Sequence, residues 1–137
     1  MNIKLLSALG LVSSMALLAA PVQNAAAAGA KADTNCVSLL QIDHTHVVDN
    51  QNILFYMRGG DIYLNTLEHS APGLDQNQPF EYTTPMDQLC KSDIITVLEN
   101  QGFALRRGAS STLGKFVPID KARAEQLVND AANKTNR

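Results

Sequence analysis

The segment Ile53–Asn65, ILFYMRGGDIYLN, constrains the fold more than any other part of the chain. Two apolar runs flank Gly59-Gly60, and glycine adopts positive φ at both central positions of a tight two-residue hairpin turn without steric cost. Such a turn fixes the strand register. Arg58 then faces Asp61, Met57 faces Ile62, Tyr56 faces Tyr63 and Phe55 faces Leu64, each a chemically matched cross-strand pair. The same register gathers Ile53, Phe55, Met57, Ile62 and Leu64 on one face, which is the expected core face. Leu54, Tyr56, Arg58, Asp61 and Tyr63 occupy the other.

Further strands are read on both sides of this hairpin. Asp49 to Asn52 reads as a turn that joins a strand at 41–48 to it; its composition does not pin the register, and in one register Val48 faces Ile53. His46 then lies opposite Phe55 and His44 opposite Met57, lining the apolar face; a slip of one residue turns both outward. Downstream, FEYTT at 80–84 alternates as a strand. Thr84, Pro85 and Asp87 have the layout of a helix N-terminus, so TPMDQLC reads as one helical turn delivering Cys90. Ile94–Glu99 and Phe103–Arg107 form a second hairpin around Asn100-Gln101-Gly102, a three-residue loop ending in glycine. A last strand covers Gly114–Ile119, with Pro118 placing its end at a sheet edge. From Asp120, an N-cap candidate, Ala124, Leu127, Val128 and Ala131 recur at helical spacing.

Residues 1–30 have the layout of a secretory signal peptide: Lys4, an apolar run from Leu5 to Ala20, then small residues that offer cleavage points near Ala28 and Ala30. The run is short and Ala/Ser-rich for a membrane span, so cleavage and no stable membrane insertion afterwards are expected. The domain plan is a signal peptide at 1–30, a β-rich domain at 31–119 and a helix with tail at 120–137. The expected compartment is the periplasm or the extracellular space. After cleavage ten Lys and Arg face thirteen Asp and Glu, a net charge of −3, and Arg106-Arg107 is the only basic pair. This balance excludes nucleic acid as a main partner.

Cys36 and Cys90 are the only cysteines, both in the exported part, and an oxidising compartment favours their pairing as a structural disulfide. They are far apart and form no C-x-x-C, which argues against a redox-active pair. His44 and His46 are the metal-ligand candidates. Two imidazoles are too few for a tetrahedral site, and His69, Asp43 and Asp49 stand at no diagnostic spacing, so ordinary strand histidines are the preferred reading. No cofactor is implied. His69 has no neighbouring nucleophile to serve as a base.

The segments NILFYMRGGDIYLNTL, SAPGL, QLCKSDIITVL and GASSTLGKFVPI follow one another as in an uncharacterised family of small exported bacterial proteins, a domain of unknown function that this chain resembles from Cys36 to Ile119. Members carry four cysteines, two of which match Cys36 and Cys90. The other two would fall at Ala71 and Ser111, so the resemblance implies that Cys36 and Cys90 are partners and that the 68–79 loop is less tethered here. It brings no activity.

These readings converge on a mainly β fold, a small antiparallel barrel or curled sheet with a C-terminal helix, an α+β sandwich being the alternative. No paired-carboxylate, triad or phosphate-loop signature is present, which favours a non-catalytic exported binding or structural module over an enzyme. Its partner would be a protein or an envelope component, with inhibition of a hydrolase as one form. A metal-binding protein using His44 and His46, or an uncharacterised hydrolase, is the rival.

Overall fold

A computed structural model describes residues 31–136. The expected signal peptide lies outside the described residues. The described residues form nine strands and one long helix in the order β1 (Cys36–Ser38), β2 (Ile42–Val47), β3 (Asn52–Met57), β4 (Ile62–Thr66), β5 (Phe80–Thr83), β6 (Gln88–Cys90), β7 (Ile94–Gln101), β8 (Ala104–Thr112), β9 (Phe116–Ile119) and α1 (Lys121–Thr135). They make a four-stranded sheet in the order β2-β3-β4-β9, a three-stranded sheet β5-β7-β8 and a two-stranded sheet β1-β6, all antiparallel. The fold is mainly β with a C-terminal helix, and the sheets do not close into a barrel.

Each hairpin turn differs from its expected length by one residue, and the consequences are large because side chains alternate faces. Between β3 and β4 the loop is Arg58-Gly59-Gly60. Met57 N–H donates to the Asp61 carbonyl at 2.9 Å, and Gly60, at φ +90°, closes the turn by donating to the Met57 carbonyl. This is a three-residue loop with glycine at the left-handed position. Phe55 therefore pairs with Tyr63, Leu54 with Leu64 and Tyr56 with Ile62. Ile62 and Leu64 do not join Phe55 on one core face; they lie on the opposite side with Leu54 and Tyr56. Nor does Arg58 oppose Asp61, which instead pairs with Lys31.

Both faces of this sheet are covered as a result. Ile53, Phe55 and Phe116 form one core with Ile95 and Val97 of the three-stranded sheet and with Val37 and Leu89 of the two-stranded sheet. Phe116 meets Phe55 edge-on at 5.2 Å between ring centroids. On the other face Leu54 and Ile62 pack beneath Ala124 and Ala131 of α1. A helix of this length is marginal alone, so this apolar contact is what holds it. Asp120 caps it, accepting the Arg123 N–H at 2.7 Å. The helix thus lies against the sheet face rather than across a barrel mouth. Pro118 sits on β9, an edge strand, as its missing N–H requires.

The segment expected to be a helical turn before Cys90 is instead the strand β6, and the Thr84 hydroxyl donates to the Gln88 carbonyl rather than capping a helix. Cys36 and Cys90 stand directly opposite in β1 and β6 and are disulfide-bonded. Closing a loop across a separation of 54 residues contributes about 4 kcal/mol in the chain-entropy account. The 68–79 loop is bound despite lacking a disulfide of its own. Ala71 and Leu74 are buried, Ala71 N–H donates to the Asn50 carbonyl at 2.7 Å, and the Ser111 hydroxyl donates to the His69 carbonyl at 2.6 Å.

Asn65 is fully buried, and its amide spans the backbone of Gly114: Nδ2 donates to the Gly114 carbonyl and Oδ1 accepts the Gly114 N–H, both at 2.9 Å. A Cβ at Gly114 would collide with the Thr66 carbonyl oxygen, so only glycine allows β4 and the β8–β9 connection to approach this closely. Asn65→Ala leaves both Gly114 groups buried without partners and is expected to cost at least about 2 kcal/mol in urea unfolding. Asn65→Leu, which keeps the volume, is expected to be no better; a leucine variant as stable as wild type contradicts the clamp.

Candidate functional site

The two histidines come together on β2 as the sequence spacing requires, on the face that the register slipped by one residue gives them. The β2–β3 loop is one residue shorter than the Asp49–Asn52 turn, because Val48 N–H already bonds the Asn52 carbonyl at 2.9 Å. Asp49 stabilises it by accepting the N–H groups of Gln51 and Asn52. The register then sets His44 opposite Tyr56 and His46 opposite Leu54, instead of opposite Met57 and Phe55. A bulge between Ile42 and His44 frees Asp43, whose carboxylate lies 2.8 Å from His44 Nδ1.

These residues edge a groove of about 370 Å³ between the sheet and α1, lined by His44, His46, Tyr56, Glu125, Val128 and Asn129. The His44 ring stacks on Tyr56 at 4.4 Å. His46 is half-buried, and its Nε2 is enclosed with no hydrogen-bond partner. Burial, and secondarily the neighbouring His44, holds the His46 pKa below its ordinary value of 6.5. Burial, with Glu125 adding to it, raises that of Tyr56. Among the described residues no three His, Cys, Asp or Glu side chains converge to hold a metal ion. His44 and His46 thus remain two ligands short of a tetrahedral centre, and His69 lies apart on the 68–79 loop.

A second feature escaped the sequence reading. The β7–β8 turn is Gly102-Phe103, not Asn100-Gln101-Gly102, since Gln101 pairs with Ala104. Gly102 supplies φ +73° at the first central position, the requirement of a type II′ turn. Nearer the body, the register shifts between Thr96 and Leu98, so that Gly108 and Ala109 together oppose Val97. A bulge of this kind bends and twists a strand. Burial changes at the same place: Ile95, Thr96 and Val97 are buried, whereas every residue from Asn100 to Arg107 is exposed.

Beyond the bulge the two strands continue as an arm whose root, at Leu98 and Glu99, is half-buried and whose outer part, from Asn100 to Arg107, is exposed on both faces. Four cross-strand pairs, from Leu98–Arg107 to Gln101–Ala104, give it a length of about 14 Å. Phe103 at the tip is fully exposed, and Leu105 beside it is 58% exposed. Arg107 pairs with Glu81, while Arg106 has no ion pair among the described residues. Turn positions normally take small or polar residues, so an aromatic directly after the turn glycine was the available signal.

No family model, curated protein or solved structure matches the chain. Among the described residues no helix is long and apolar enough to cross a membrane.

The enclosed His46 makes stability pH-dependent with a definite sign. The unfolded chain takes up a proton at this imidazole near pH 6.5, whereas the folded chain resists it, so the unfolded state binds more protons as pH falls. This part of the stability is complete above about pH 6.5 and is lost as pH falls through the lower folded value. His46→Gln is expected to flatten the urea-midpoint profile as pH falls below about 6.5. A variant with the wild-type slope contradicts the assignment.

Proposed function

We propose that this protein is a non-catalytic, exported protein-binding module, and that its recognition element is the β7–β8 arm. The carrying observation is Phe103, an aromatic side chain fully in solvent at the tip of an arm that begins at a bulge. Single exposed apolar residues are common and call for no explanation. Here two of them, Phe103 and Leu105, share an eight-residue stretch exposed on both faces, beside Arg106, which stands opposite Glu99 in the ladder and forms no ion pair among the described residues. Aromatic and arginine side chains dominate the energetics of protein interfaces, and burying a phenylalanine contributes about 1.5–3 kcal/mol. An exposed arm of this composition is suited to a concave surface on another protein, which is also the geometry of a hydrolase inhibitor.

The export part of the reading rests on the layout of residues 1–30 and on the Cys36–Cys90 bond, which an oxidising compartment maintains. The non-catalytic part rests on the histidine groove, which brings together no nucleophile with a base and no set of metal ligands among the described residues.

The test is a photo-crosslinking amino acid at Gln101, beside the tip, with Lys121 on the helix as control. Irradiation of expressing cells is expected to give a discrete adduct from position 101 that is absent from position 121. Adding Phe103→Ser is expected to weaken capture by roughly thirtyfold, the equivalent of a 2 kcal/mol interface anchor. Adducts identical at both positions, or indifferent to Phe103→Ser, contradict the proposal.

A further inference from the structure

Resting on the reading of the arm as a binding element, we infer that one partner it fits is a second copy of this chain, through an acid-rimmed cavity beside α1. This cavity, of about 340 Å³, is floored by Val48, Leu74, Leu127 and Ala131 and rimmed by Asp49, Asp75, Asp130 and Lys134, a net charge of −2. It is complementary to the arm in both apolar character and charge: Phe103 and Leu105 supply apolar surface, and Arg106 supplies a cation. Two of the three rim carboxylates are already engaged, Asp49 by Gln51 and Asn52, and Asp75 by the Asn77 N–H. Asp130, exposed on the helix, is the natural partner for Arg106.

The two features lie on neighbouring parts of the chain. Gln76 and Asn77 line the cavity, and the next residue, Gln78, donates to the Leu98 carbonyl at the root of the arm. Arm and cavity are thus joined through one short loop. Two copies related by a two-fold axis can each insert an arm into the other's cavity, which satisfies both arms and closes at two.

Sedimentation velocity across a concentration series tests this, with circular dichroism and thermal melting as fold controls; substitutions at the exposed positions 103 and 130 should leave both unchanged, whereas Arg106→Glu sets a second carboxylate opposite Glu99 and should lower the melting temperature slightly without changing the spectrum. The wild-type mass is expected to rise from one copy to two. Phe103→Ser, Arg106→Glu and Asp130→Arg should each raise the dissociation constant at least about tenfold. Mixing the Arg106→Glu and Asp130→Arg proteins should restore a dimer, because each then offers the other a complementary contact. A wild-type monomer at every concentration, or a dimer indifferent to Phe103→Ser, overturns self-pairing. If the monomer is accompanied by capture of a different protein from position 101, the arm reading stands without self-pairing; with no capture, both fall.

Discussion

The hydrogen bonds that close Arg58-Gly59-Gly60 fix the register of β3 against β4, and the rest of the architecture depends on that register. One more or one fewer residue in the loop would exchange the partners of all the side chains on β4. With Gly60 in the left-handed region, Phe55 shares a face with Tyr63, and Leu54 with Leu64. The sheet is then apolar on both sides and has to be covered twice. The smaller sheets and the 68–79 loop cover one side; α1 covers the other.

Two devices keep those covers in place. The Cys36–Cys90 bond joins the first strand to the middle of the chain, so the two-stranded sheet cannot separate without breaking a covalent link. Asn65 ties β4 to the backbone at Gly114 from inside the core, where water cannot substitute for either bond. Against this braced body the β7–β8 arm stands out. Its strands continue past the Gly108-Ala109 bulge and are uncovered from Asn100 to Arg107, and a side chain as costly to hydrate as phenylalanine remains at its end. The contrast between a doubly covered sheet and an uncovered arm is the basis for assigning recognition to the arm.

Much of the fold was legible in the letters. Glycines marked the β3–β4 and β7–β8 hairpins, Asp120 marked the helix start, Pro118 an edge, and two lone cysteines a bond. Register was not legible, for a physical reason. Ile53 to Met57 are apolar or aromatic at five consecutive positions, so a slip of one residue still buries apolar surface and the pattern cannot choose between registers. That ambiguity left the face of His44 and His46 open between two registers, of which the fold adopts the slipped one. At Thr84-Pro85 the local helix signal was outweighed by the pairing of β6 with β1. Of the site, the i, i+2 histidine pair was visible, but its distance from other ligands is a tertiary property. Phe103 was hidden because the loop length placed it inside a strand instead of in the turn.

Cross-strand nuclear Overhauser contacts test the register most directly, since Hα atoms of a non-hydrogen-bonded antiparallel pair approach closely. Because Met57 and Asp61 form a hydrogen-bonded pair, the non-hydrogen-bonded pairs are Tyr56–Ile62 and Leu54–Leu64. Strong Hα–Hα contacts within those two pairs are the expected result. A strong contact between Phe55 and Leu64 instead would place both on one face, as in the two-residue turn, and would contradict the account of a sheet covered on both sides.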